Sequence, residues 1–120
     1  MERNWDTIRE LLLNSESLKP DTALVLSDFD PKRGHEISYH VVLLEEAGLI
    51  NASITPTFGG GPTHFHVYRL TWQGHELLDA IRKESIWIKT KSSIIEKGGA
   101  MTLDIVKSVA IDLVKAAMDM

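Results

Sequence analysis

The sequence contains no cysteine. That excludes a disulfide framework, a thiolate metal site and a thiol nucleophile. Long apolar runs are missing too, so no segment reads as membrane-spanning. The opening residues, Met1-Glu2-Arg3-Asn4-Trp5-Asp6, lack a basic stretch followed by an apolar one. No secretion leader is therefore expected, and the reading is cytoplasmic, with no membrane partner. Basic residues are in deficit, with 13 Lys and Arg against 17 Asp and Glu, for a formal net charge of −4. Taken alone, that balance disfavours nucleic acid as a partner.

What is present describes an ordinary globular chain, 43% apolar and 25% charged. Its 120 residues suffice for one domain, or for one domain and a terminal appendage. A chain of this length hides roughly two-thirds of its unfolded surface and needs no cross-links to hold a core. The charge is unevenly placed. Residues 1–30 hold three basic and seven acidic side chains, whereas residues 31–70 hold three of each. A surface built from the middle of the chain is therefore close to neutral.

The first segment, about Asn4 to Asn14, predicts a helix. Asn4 suits the N-cap, Asp6 suits the first turn, and Trp5, Ile8, Leu11 and Leu12 share one stripe. Thr22–Leu26 reads as a brief strand. Asp30-Pro31 then opens a long helix to Ala47, which Gly48 stops. On that helix Ile37, Val41 and Leu44 form the core stripe, and His35, Ser38, Tyr39, Val42 and Glu46 lie opposite. Leu49–Thr55 and Phe65–Thr71 read as paired strands around a loop with three glycines and two prolines. That loop is no phosphate cradle, because a strand follows it and it has no Lys. Thr71 caps a further helix running to Lys97, continuous or with one break, with Leu77, Leu78, Ile81, Ser85 and Ile88 inward. Ile86 and Trp87 then need a second neighbour. A last helix covers Thr102 to Met118, and its apolar arc is far wider than one packing partner requires.

The order of elements is that of a winged helix. The stretch Ile37-Ser38-Tyr39-His40-Val41-Val42-Leu43-Leu44-Glu45-Glu46-Ala47-Gly48-Leu49-Ile50 resembles the recognition helix and first wing strand of small dimeric winged-helix repressors. Tyr68-Arg69-Leu70-Thr71-x-x-Gly74 resembles their second wing strand and following helix. Three more blocks widen the likeness: Arg3-Asn4-Trp5-Asp6, Leu70-Thr71-Trp72-x-Gly74-His75-Glu76-x-Leu78-Asp79-Ala80-Ile81 and Trp87-x-Lys89. Together they look like a family of phage- and prophage-encoded domains of unknown function. The resemblance implies an α+β, mainly helical fold: a winged helix with a two- or three-stranded antiparallel wing sheet and an extra C-terminal helix. It also departs from the pattern, since no separate short helix is expected between Ser15 and Asp30. The expected organisation is a winged-helix body over 1–97 and a C-terminal segment over 98–120 that dimerises. The alternative is that this segment folds back on its own chain.

Two functions follow from that architecture. As a transcription regulator, the chain would set Pro31–Ala47 in the major groove of double-stranded DNA. Lys32 and Arg33 would touch phosphates, and His35, Ser38, Tyr39 and Val42 would face base edges. So few cations predict weak binding with a shallow salt slope. As a protein-interaction module, the chain would offer Tyr39, Val42, Phe58 and Phe65 to a host protein. A positive surface over Lys32, Arg33, His35, Ser38 and Tyr39 favours DNA, and a neutral apolar one favours protein. The five histidines raise a third possibility. His64 and His66 share a strand face, and His40 and His75 could meet through the fold. The plainer reading makes His40 and His75 packing residues and leaves the other two solvated, so no metal or other cofactor is expected. No nucleophile–base pair or carboxylate dyad has a catalytic spacing, and no enzyme is expected.

Overall fold

A computed structural model describes residues 1–119; Met120, the last residue of the expected C-terminal segment, lies outside the described residues. The described chain is mixed α+β and mostly helical, with five α-helices and one three-stranded antiparallel sheet. It divides into two compact units, Met1–His75 and Glu76–Met120. The division therefore falls inside the helix that begins at Trp72.

In the first unit, α1 spans Trp5–Glu16. Asn4 caps it as expected, its side chain accepting from the N–H groups of Asp6 and Thr7. Strand β1 is only Leu24–Val25. A 3-10 turn, Leu26–Asp28, follows it, and no α-helix lies between α1 and this turn. Asp28 locks that turn, accepting from the Val25 N–H at 2.8 Å. A second 3-10 turn, Pro31–Arg33, leads into α2, Gly34–Glu46. Asp30 caps this tighter turn, not the α-helix itself. Gly48 stops α2 at φ +72°, a conformation that side chains with a Cβ rarely adopt. Ile37, Val41 and Leu44 are buried as the periodicity predicts, as are Ile8, Leu11 and Leu12 of α1, which packs on α2.

Strands β2, Ile50–Thr55, and β3, His64–Leu70, complete the sheet in the order β1–β3–β2. A bulge interrupts their pairing. Asn51 faces Arg69 but Ala52 faces Val67, which leaves Tyr68 as the extra residue. The bulge resets the alternation: Phe65 and Val67 are buried, and the next buried position is Leu70 rather than Arg69. Helix α3, Trp72–Ile81, starts against this sheet. Thr71 donates its hydroxyl to the Gly48 carbonyl at 2.6 Å and accepts from the Gly74 N–H at 3.1 Å. A Cβ on Gly74 would lie 2.0 Å from the Leu49 carbonyl oxygen, so only glycine fits there.

In the second unit, α4 is Glu84–Glu96 and α5 is Leu103–Met118, and they pack on each other. The helix expected to run from Thr71 to Lys97 is thus two helices. The break at Arg82–Lys83 rotates the second one relative to the expected stripe. Ile86 and Trp87 are buried, while Ile88 is 51% exposed and Ser85 is exposed. Of α5, only Val106 and Ala110 are buried.

Candidate functional site

The face of α2 opposite its core stripe carries His35, Tyr39, Val42 and Glu46, at spacings of three and four residues, and Lys32 precedes it in the 3-10 turn. Lys32, His35 and Glu46 are exposed; Tyr39 and Val42 are half-buried. Tyr39 sets its ring edge-on to His40, with centroids 5.5 Å apart and planes at 88°. His40 itself is 1% exposed. Its Nε2 accepts from the Asn4 N–H at 2.7 Å, and its Nδ1 lies 2.7 Å from the Glu36 carbonyl. The stripe is therefore held by core contacts beneath it and by a histidine that ties α2 to the start of α1.

Two of the six residues expected at a DNA interface, Ser38 toward the bases and Arg33 toward the phosphates, have partners within the chain. Ser38 is buried, and its hydroxyl donates to the His35 carbonyl at 3.3 Å, because its position turns inward beside Ile37. Arg33 is already engaged. Its Nη1 and Nη2 donate to the two Glu10 carboxylate oxygens at 2.9 and 2.8 Å. Its Nη2 and Nε donate to Glu36 at 2.8 and 3.3 Å. The Thr7 hydroxyl adds a bond to the same carboxylate at 2.7 Å. The Arg33 bonds, then Thr7, hold the Glu36 carboxyl down to about 2, from an ordinary value of 4.5. The same two glutamates raise the guanidinium of Arg33 further above its ordinary range. Within this cluster two carboxylates outweigh one guanidinium, so it adds no positive field to the α2 face. Arg33 and Glu36 were legible as an i, i+3 pair; nothing in the sequence signals Glu10, which arrives from α1.

Phe65, expected to be exposed, is 2% exposed because it points to the core side of β3. Phe58 stands free at the tip of the β2–β3 loop, fully exposed at 100%. The base of that loop is tied by Thr57, whose hydroxyl lies 2.8 Å from the Gly61 carbonyl and 3.0 Å from that of Pro62. His64 and His66 are exposed on one face of β3, and His66 stacks on Tyr68 with centroids 6.4 Å apart. The Tyr68 hydroxyl donates to Ser53 at 3.2 Å. His75, expected to pack, is exposed because α3 turns it away from the Leu77–Leu78 side. No group of three metal-ligating side chains occurs among the described residues, and none of their helices is long and apolar enough to cross a membrane.

Residues 2–100 match the family described as "Hypothetical protein (DUF2513)". An "Uncharacterized protein" of Haemophilus influenzae (strain ATCC 51907 / DSM 11121 / KW20 / Rd) is 40% identical over 111 residues, covering 92% of each chain. No solved structure matches. The chain belongs to the DUF2513 family.

Proposed function

We propose that the chain is a winged-helix module, of phage or prophage type, whose α2 stripe and β2–β3 loop bind a protein partner. The winged-helix reading rests on the order helix, short strand, 3-10 turn, helix, strand, loop, strand, with the first strand beside the third. The observation that carries the choice of partner is the engagement of Arg33 by Glu10 and Glu36. Without it, the stripe offers one cation, Lys32, opposed by Glu46, around an aromatic and an aliphatic side chain. Interface cores are enriched in aromatic residues and depleted of charge, which suits Tyr39, Val42 and the protruding Phe58. The test is a pull-down from host lysate with the whole chain and with Tyr39→Ala plus Val42→Asp. Partners captured by the first and lost by the second support the reading. An identical partner set for both rejects it.

Double-stranded DNA is the second reading, favoured by the order of elements and by the accessibility of Lys32, His35 and Tyr39. One or two neutralised phosphates per protomer give a log–log salt slope of only about −1 to −2. Anisotropy titration in low salt against duplexes, including those from the neighbouring locus, distinguishes it. Measurable duplex binding lost on Lys32→Ala would displace the protein reading. In either reading the chain acts as a homodimer through α5, where Ile105 is 39% and Met118 is 78% exposed.

A further inference from the structure

Of the five histidines, His64 and His66 stand on one face of one strand. Strand β3 alternates exposed and buried residues from His64 to Tyr68. Phe65 and Val67 therefore point to the core, and both imidazoles point to solvent. Pairing with β2 holds this alternation, with Thr55 opposite His64 and Ser53 opposite His66. Two steps of strand rise set the bases of the two side chains about 6.6 Å apart and on the same side of the sheet.

These two rings differ from His40, whose nitrogens are both bonded inside the fold. Among the described residues, no hydrogen bond or ion pair takes a ring nitrogen of His64 or His66. His66 is nevertheless steadied from one side. Its ring lies at 16° to that of Tyr68, with centroids 6.4 Å apart, and the Tyr68 hydroxyl donates to Ser53 at 3.2 Å. A stacked neighbour orients the imidazole without consuming the lone pair that a neutral ring carries on one nitrogen.

The ligand chemistry follows from the donors. Imidazole nitrogen suits zinc, copper and nickel, whereas magnesium and calcium take oxygen ligands. Neither β2 nor β3 carries an Asp or Glu, and Arg69 is the single Lys or Arg on these strands. We propose that His64 and His66 form a two-imidazole chelate for a divalent transition ion, with copper(II) held more tightly than zinc. Read separately, each ring is a solvated side chain; their shared face and free nitrogens make them a pair. Among the described residues no group of three ligating side chains forms. The ion therefore keeps open positions, filled by water or by a ligand from outside the chain. The site lies on the sheet and does not depend on what the α2 stripe binds.

The experiment titrates the whole chain with copper(II), and separately with zinc while the histidine ring signals are followed by NMR. The expected result is one copper ion per chain with a Kd below ~100 µM. Zinc should shift the rings of His64 and His66 together and spare His35 and His75. Chelation also predicts that His64→Ala or His66→Ala alone weakens copper at least tenfold, and that the double variant loses little more. Both positions are exposed, so these variants keep the core intact. Single variants that each bind copper within twofold of the parent would show two independent rings and overturn the proposal. So would equal zinc shifts at all exposed histidines, or a copper Kd above ~100 µM. The partner pull-down reads α2 independently, so either proposal can fail alone.

Discussion

The Asn4 backbone N–H donates to Nε2 of His40 at 2.7 Å, and this fixes the imidazole tautomer. A backbone N–H can only donate, so Nε2 accepts and Nδ1 carries the proton. Nδ1–H then donates to the Glu36 carbonyl at 2.7 Å. One neutral ring thus serves an orphan group at the start of α1 and a carbonyl inside α2. His40→Phe keeps the volume but removes both partners. It is expected to destabilise the chain by about 1–3 kcal/mol, measured as a lower urea midpoint at unchanged m-value. A midpoint equal to that of the parent would mean that water replaces the ring at no cost.

The two close-packed glycines should respond very differently to alanine. At Gly74 the new Cβ meets a backbone carbonyl at 2.0 Å, and neither helix nor strand can give way easily. Gly74→Ala is expected to cost about 3 kcal/mol or more, despite alanine's better helix propensity. At Gly34 the neighbour is the end of a proline ring at 3.1 Å, which needs to move only slightly. Gly34→Ala should cost about 1 kcal/mol or less. Thermal unfolding of the two variants side by side checks the ordering.

Acid should weaken the α1–α2 junction through Glu36. Its folded value, about 2, lies below the ordinary 4.5, so the unfolded state binds the proton more readily. The contribution is complete above pH 4.5 and is lost as pH falls from there toward 2. Its side chain is 35% exposed, so solvent screening reduces the contribution to ~1 kcal/mol. Glu36→Gln should lower stability at pH 7 by about that amount and flatten the stability profile between pH 4.5 and pH 2. A profile as steep as the parent's would assign the acid sensitivity to other carboxylates.

Much of this fold was readable from local chemistry. Asn4, Asp30, Gly48 and Thr71 mark element ends because capping and positive φ are properties of a few neighbouring residues. The core stripe of α2 followed from periodicity alone. A misreading arose where a break shifts the phase of all that follows. The break at Arg82–Lys83 moves Ser85 and Ile88 off the expected inward stripe, and it carries no glycine or proline to announce it. The candidate face was legible at Lys32, His35, Tyr39 and Val42, which depend only on helix geometry. The partner of Arg33 was not legible, because Glu10 lies 23 residues away. Long-range ion pairing leaves no mark in the local pattern.

The second unit should show its function in assembly. Helix α5 buries only Val106 and Ala110; Leu103, Val109, Ile111, Leu113 and Val114 are half-buried, and Ile105 and Met118 are exposed. The parent chain is expected to be a dimer at tens of micromolar by light scattering, since exposed apolar surface of this kind usually marks an interface. Ile105→Glu plus Met118→Glu changes only exposed positions and should yield a monomer with unchanged helical content. A parent chain that is itself monomeric would retire the dimer.

Phe58 separates the two readings of the first unit most cleanly. It is fully exposed at the loop tip, so Phe58→Ala should change stability by less than about 0.5 kcal/mol. Any loss of binding then belongs to the interface. A protein partner that takes the ring into a pocket should be weakened by tenfold or more, in the manner of a buried aromatic anchor. A duplex held through phosphates should be weakened far less, because an apolar ring neutralises no charge. In that event Lys32→Ala should flatten the salt slope by about 1, while Arg33→Ala leaves it unchanged, its guanidinium being spent on Glu10 and Glu36. A salt slope that falls with Arg33→Ala would show that the guanidinium leaves its carboxylates to reach a phosphate, and would restore DNA as the partner of this face.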